Sequence, residues 1–427
     1  GSMLPDMFDP WRAIDPAGEV WCLPLKSTAG TKASGKVTVA GAATAGGQVN
    51  LYVAGKRVRA TVANGAAAAA VATAIAAAVN AAGLPVSAGA AAGEVTLTCR
   101  WAGLSGNDIQ LDLNRQGRVN GEVTPAGLTV TVTAMASGVG TPDLAAALAV
   151  LGDEPFEFLC GPWSDATSLD AWKALMNDTS GRWSWARQLY GHVYSASRGT
   201  LGELVALGDT RNDPHVTVYG FEKACPDPAW RQPAAYAART AVFISADPAR
   251  PTQTGELNNL TPAPAGERFI LTERQSLLSH GIATAYCSSG TQRIERGITT
   301  YQKNEFGQAD NSYLDSETLH QSAYIIRFLK SRITSKYGRH KLANDGTRFG
   351  AGQAIVTPAV IRAELIAGYY ILEQMGIVEN ADAFAQYLVV ERSLTDPTRI
   401  NVLYPPDLVN QLRVFALQYQ FRLQYQV

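Results

Sequence analysis

Apolar and polar residues alternate without a break along the last stretch of the chain. Phe415, Leu417, Tyr419, Phe421, Leu423, Tyr425 and Val427 hold the odd positions; Ala416, Gln418, Gln420, Arg422, Gln424 and Gln426 hold the even ones. Period-two alternation predicts one β-strand with a buried face and a wet face. Strands usually run about 5–6 residues, so this one is roughly twice the length a compact domain needs. Two fates fit the pattern: a strand internal to its own sheet, or one that overhangs and pairs with the sheet edge of another copy. In the overhanging case Phe415, Leu417 and Tyr419 lie against the body, and Leu423, Tyr425 and Val427 reach beyond it.

Further back, Val20 to Leu25 reads as a short buried strand, in a segment where Pro5, Pro10, Pro16 and Pro24 act as breakers. Residues 33–138 are rich in Ala, Gly, Thr and Val. They predict strands at Lys36–Ala40, Glu94–Arg100, Asp108–Leu113 and Leu128–Ala134, with a hairpin Gln48–Val53 and Lys56–Val62 turning at Ala54-Gly55. A helix after Asn64-Gly65 turns Val71, Ile75 and Val79 inward. Small side chains bury little area each, so this stretch is expected to be a thin, self-contained β-rich insert on two linkers. From Thr141 strands and helices alternate: strands at Pro155–Cys160, Gln188–Ser195, His215–Phe221 and Ile282–Cys287, helices at Leu169–Met176, Leu201–Gly208 and Trp230–Ser245. That rhythm predicts an α/β layer with a mostly parallel sheet. Two long helices follow, Asp315–Tyr337 and one opened by Thr357-Pro358, then strands at Ala385–Glu391 and Arg399–Leu403. The fold class is therefore a multidomain α/β and α+β protein. Its domains are an α/β core (1–32 with 139–290), the inserted domain (33–138), and a C-terminal α+β domain (291–427) ending in the terminal strand 408–427.

Composition narrows the function. The chain has 427 residues, a formal net charge of −1 and 17% charged residues. No basic run marks a nucleic-acid surface, and no apolar run reaches the roughly 18 residues of a membrane span. Five scattered cysteines, never spaced CxxC, read as reduced buried thiols. Five histidines form no metal-ligand spacing, and neither a P-loop nor a dinucleotide fingerprint is present, so neither metal nor cofactor is expected. Gly1-Ser2-Met3 reads as an expression scar or a cut end, with an extended N-terminal segment expected to be absent.

The one catalytic candidate is a triad in the order Asp209, His215, Ser289. Triads are defined by geometry and not by order, and Asp209 and Ser289 both stand in turn settings, so a hydrolase is the alternative reading and not the leading one. Arg339, His340, Lys341 and Arg348 cluster around Asp345-Gly346. A solvated basic loop is the plain reading, and an intersubunit charge patch is the functional one.

The last third carries a resemblance. Arg296-Gly297-Ile298-Thr299-Thr300-Tyr301, Asp310-Asn311-Ser312-Tyr313-Leu314-Asp315, Lys341-Leu342-Ala343-Asn344-Asp345-Gly346, Thr357-Pro358 and Tyr404-Pro405-Pro406-Asp407-Leu408 together resemble contractile phage tail sheath proteins of the Mu-like group. The resemblance implies a core labelled subtilisin-like by fold but without protease chemistry. It also implies assembly with further copies in hexameric rings around a tail tube protein, and a place in the virion tail after assembly in the host cytoplasm. Family members add extended terminal arms as strands to their neighbours' C-terminal domains, which favours the overhanging fate. The strand-exchange residues are then Phe421, Leu423, Tyr425 and Val427. Lacking an N-terminal arm, this chain is expected to be monomeric by itself.

Overall fold

The computed structural model describes residues 2–26 and 29–423. The chain divides into two units, Gly1–Phe243 with Thr252–Leu319, and Ile244–Pro251 with His320–Val427.

The first unit opens with a helix where breakers were expected. α1 (Met3–Ile14) runs through both Pro5 and Pro10. Pro5 sits in the first turn, where no helical N–H is required. Pro10 removes the donor that would serve the Asp6 carbonyl, and Arg231 Nη1 replaces it at 3.2 Å. Val20 to Leu25 is not a strand: it runs as irregular chain with Trp21 and Cys22 exposed. Neither residue has a sheet neighbour to cover it.

The Ala/Gly-rich stretch folds as two small sheets and a helix. β1 (Lys32–Gly41), β2 (Gly47–Val53) and β3 (Lys56–Val62) precede α2 (Ala68–Ala81), and β4 (Val86–Ala91), β5 (Glu94–Ala102), β6 (Leu111–Leu113) and β7 (Leu128–Ala136) follow it. One sheet has the order β4-β5-β1-β7 and the other β3-β2-β6. Ala54 and Gly55 both take positive φ, 51° and 75°, which makes the β2–β3 connection the two-residue turn whose twist suits a hairpin. Val71, Ile75 and Val79 are buried on α2 against Val58, Val86 and Val95. The same core includes Trp230, and Met3 and Met7 of α1 pack on it.

The stretch is thus joined to the rest of its unit by more than two linkers. Arg198 pairs with Asp108 at 2.5 Å and donates to the carbonyl of Asp227 at 2.6 Å. Asp6 accepts from Lys56 at 2.9 Å, Trp230 Nε1 at 2.7 Å and Arg231 at 3.0 Å. Burial alone would raise the Asp6 carboxyl, but these donors outweigh it and hold it below the usual 3.8.

The core alternates as the pattern predicts. α3 (Leu144–Leu148), β8 (Phe158–Cys160), α4 (Ala166–Met176), β9 (His192–Gly199), α5 (Leu201–Asp209), β10 (Val216–Glu222), α6 (Arg231–Ala246) and α7 (Leu271–Ser279) lead to the hairpin β11 (Thr284–Ser288) and β12 (Thr291–Arg296). β8, β9 and β10 pair in parallel, and a parallel bridge from Tyr219 to Ala283 continues the layer toward β11. β9 starts four residues later than the pattern suggests, because Gln188 and Tyr190 take positive φ, 53° and 50°, which a strand cannot hold.

The boundary between units falls within α8 (Ser316–Tyr337). The second unit continues through β13 (Lys341–Leu342), β14 (Ile355–Val356), α9 (Pro358–Gln374), β15 (Val378–Glu379), α10 (Ala381–Tyr387), β16 (Val389–Arg392), β17 (Ile400–Leu403) and β18 (Asp407–Leu408). Glu364 on α9 faces Arg332 and Lys336 of α8, with Lys336 Nζ at 2.7 Å. The expected strand Ala385–Glu391 is helix over Ala385–Tyr387 and strand from Val389. Glu373 Oε1 caps the Ala381 N–H at 2.9 Å, and Phe384 stacks on Tyr369 with ring centroids 3.8 Å apart. A strand there would pull Phe384 off that ring. The chain becomes extended only past Leu388.

Candidate assembly surface

The terminal stretch is held by its root, and its described apolar side chains beyond the root are exposed. β18 pairs antiparallel with β15, and Val409 N donates to the Ile377 carbonyl at 3.3 Å. Tyr369 ties both strands: its hydroxyl donates to the Glu379 carbonyl at 2.6 Å and accepts from Asp407 N at 3.0 Å. Burial pushes the Tyr369 hydroxyl above its ordinary value of 10, so it stays a neutral donor and acceptor. Gln321 Nε2 reaches the Ile377 carbonyl at 2.7 Å and the Val409 carbonyl at 3.3 Å. Gln411 Nε2 donates to the Ala249 carbonyl at 3.5 Å.

From Leu412 to Leu423 the chain has neither helix nor strand. Phe415 is 79% exposed, Leu417 70%, Phe421 69% and Leu423 96%. This corrects two expectations. The stretch is not a strand of its own sheet, and Phe415, Leu417 and Tyr419 do not lie in a core: the whole described apolar face is in water. The physical reason is that the sheet beside it is too short to accept it, since β15 offers two residues and β18 uses both. Tyr425 and Val427 lie outside the described residues. Elsewhere in the unit, β16 and β17 form a two-stranded sheet, so each has one edge with no strand beside it among the described residues. Val389, Val402 and Leu403 are exposed there.

Arg339, His340, Lys341 and Arg348 are all exposed around β13. His340 meets the Tyr337 ring edge-on, and Lys341 Nζ lies 3.3 Å from Gln353 Oε1. Among the described residues Arg339 and Arg348 form no ion pair.

The triad residues are not brought together. His215 Nε2 is 3.1 Å from Asp178 Oδ1, and its ring stacks on Trp183 at 4.8 Å. Asp209 faces His280 at 3.9 Å. Ser289 and Gly290 form the two-residue turn between β11 and β12, with φ of 51° and 81°. A nucleophile, base and orienting acid must share hydrogen bonds around one reacting atom, and each of these residues is engaged elsewhere. The hollow lined by Tyr219, Glu222, Cys287 and Gln292 has about 10 Å³, room for a single water. Among the described residues no group of three or more His, Cys, Asp or Glu could hold a metal ion. Among the described residues no helix is long and apolar enough to cross a membrane.

An anchored apolar arm left in water, on a chain whose candidate catalytic residues are dispersed, defines an assembly subunit. Comparison with known proteins gives the family. The phage tail sheath protein central domain matches residues 137–300, and the phage tail sheath C-terminal domain matches residues 308–422. The Mu-like prophage FluMu tail sheath protein of Haemophilus influenzae is 40% identical over 426 residues, covering 99% of this chain and 86% of that protein. Among solved structures, a sheath tail protein of Desulfitobacterium hafniense is similar at 13% identity and a TM-score of 0.46, over 90% of this chain and 80% of that one. A sheath tail protein of Listeria innocua gives 12% and 0.46, over 89% and 78%. The anti-feeding prophage baseplate gives 13% and 0.44, over 68% and 77%. The chain belongs to the phage tail sheath family, in its Mu-like group, and is a structural subunit of a tail sheath and a component of the virion.

Of the residues that root the arm, the sequence marks Tyr369 only as a core-facing position of its helix and gives no signal for Gln321. Both sit at core-facing helix positions, where a polar head looks like any other half-buried side chain.

Proposed function

We propose that copies of this chain stack in hexameric rings around a tail tube protein and contract by rigid-body rearrangement while exchanged strands keep them joined. One observation carries the reading: a rooted segment with a continuous apolar face stands in water, and the second unit has a β16–β17 sheet with open edges. Exposed strand edges and extended apolar segments complete each other by β-augmentation. Phe421, Leu423, Tyr425 and Val427 are the residues that a neighbour's sheet would cover. The mixed core is then a subtilisin-like scaffold used without protease chemistry. The domains are the core (1–32 with 139–290), the insert (33–138) and the C-terminal domain (291–427). Assembly takes place in the host cytoplasm before the sheath enters the virion tail. The test is Leu423→Lys in the assembling protein, scored by electron microscopy. A lysine on the covered face abolishes tubes, and tubes of normal length would overturn strand exchange at this position.

A further inference from the structure

A second surface, on the first unit, is also left in water. Trp21 is 67% exposed, Val150 76% and Trp185 78%. They belong to one face. Trp21 packs edge-on against Phe156 at 5.8 Å, and the Arg182 guanidinium lies over that ring at 5.7 Å. Arg187 pairs with Asp153 at 3.1 Å and donates to the Gly152 carbonyl at 3.0 Å, which brings the Trp185 loop beside Val150. Two exposed carboxylates border this face, Asp153, which pairs with Arg187, and its neighbour Glu154. Exposed aromatics beside exposed carboxylates fit a partner that brings both cations and an apolar side chain.

The second unit offers that chemistry. Lys and Arg outnumber Asp and Glu in it, and the balance is reversed in the first unit. Its basic loop exposes Arg339, Lys341 and Arg348 with the half-exposed ring of Phe349 next to them. We propose that the Trp21–Val150–Trp185 face of one copy receives the Arg339–Phe349 loop of a second copy, a contact separate from the arm. It rests on the reading of the chain as a self-assembling subunit. Face and loop are different surfaces, so the contact is heterologous and propagates from copy to copy instead of closing as a two-fold dimer. Its strength falls as salt screens the opposed charges.

The test uses the full chain in concentrated, low-salt solution as an equal mixture of natural-abundance and nitrogen-15-labelled protein. A carbodiimide couples carboxylates to lysine amines in direct contact. The expected products are mixed-isotope peptide pairs joining Lys341 to Asp153 or Glu154, at least tenfold fewer at high salt. Sedimentation supplies the second readout. Arg339→Glu with Arg348→Glu associates poorly by itself, as does Asp153→Lys with Glu154→Lys, and mixing the two variants restores association. All four positions are exposed, so folding is not at stake. Linkages confined to single chains, or a mixture that fails to recover, overturn the proposal. The Leu423→Lys chain keeps the crosslink if the contact is separate from the arm, and losing it there also overturns the proposal.

Discussion

The insert and the terminal arm handle apolar surface in opposite ways. The insert is built from small residues, yet its core continues into Trp230, Met3 and Met7, and its junction is closed by Asp108–Arg198 and Asp6–Arg231. The arm is built from large residues, and every described apolar one beyond its root is exposed. Alternation and composition state which side chains must leave water. They do not state which chain covers them. For the insert the cover is the same unit; for the arm the proposed cover is a neighbouring copy.

The sharpest way to break this contrast is at the insert junction. Asp108→Ala leaves Arg198, with only 8% of its side chain exposed, without its carboxylate. Stranding one partner of a buried pair costs about 3–5 kcal/mol, so thermal unfolding should drop by many degrees. A loss under about 1 kcal/mol would make the insert a passenger on two linkers.

Asp6→Asn weakens the strap formed by α1 and should cost about 1.5–3 kcal/mol, the range for hydrogen bonds to a charged group. Because the folded carboxyl is held below its ordinary 3.8, its contribution is complete above that pH and is lost as pH falls through the depressed value. The melting difference between wild type and Asp6→Asn should stay level from neutral pH to about 4 and then close. A gap that widens in acid would reverse the sign assigned here.

At the arm's root, Tyr369→Phe removes the hydroxyl that joins β15 to β18 and should cost about 1 kcal/mol. Amide exchange at Leu408 and Val409 should speed up while α9 stays protected. Unchanged exchange would mean the strand pairing alone holds the root.

Smallest of all, Leu417→Lys and Leu423→Lys should both shift the isolated chain by no more than about 0.5 kcal/mol, as for other exposed positions. Ser289→Ala should be equally silent, since the residue occupies an exposed hairpin turn. A melt lowered by Leu417→Lys but not by Leu423→Lys would return the near half of the arm to its own core.

Much of the fold was legible because pattern and burial agree. Val71, Ile75 and Val79 on α2, the Ala54-Gly55 turn and the strand–helix rhythm of the core are local signals that the tertiary structure does not override. Three misreadings share another cause. α1 was hidden by Pro10, although Met3, Met7, Trp11 and Ile14 keep helical spacing; only the distant Arg231 donor makes the proline tolerable. α10 was hidden because Ala385–Glu391 is β-rich in composition, and the Phe384–Tyr369 stack decides for helix. The arm was read correctly as a long amphipathic segment and wrongly as partly buried, because a sequence cannot show that β15 is only two residues long. The face at Trp21, Val150 and Trp185 carried no signal at all, since its members are far apart in the chain.

The account's central claim is that the arm's apolar face is covered by a neighbour and not by its own unit. Amide hydrogen exchange across Leu412–Leu423, measured in the dilute chain and in assembled sheath, tests it most directly. The account predicts fast exchange in the dilute chain at every concentration that leaves it unassembled, and strong protection in the sheath. Protection already present in the dilute chain, or fast exchange that persists in the sheath, would contradict it.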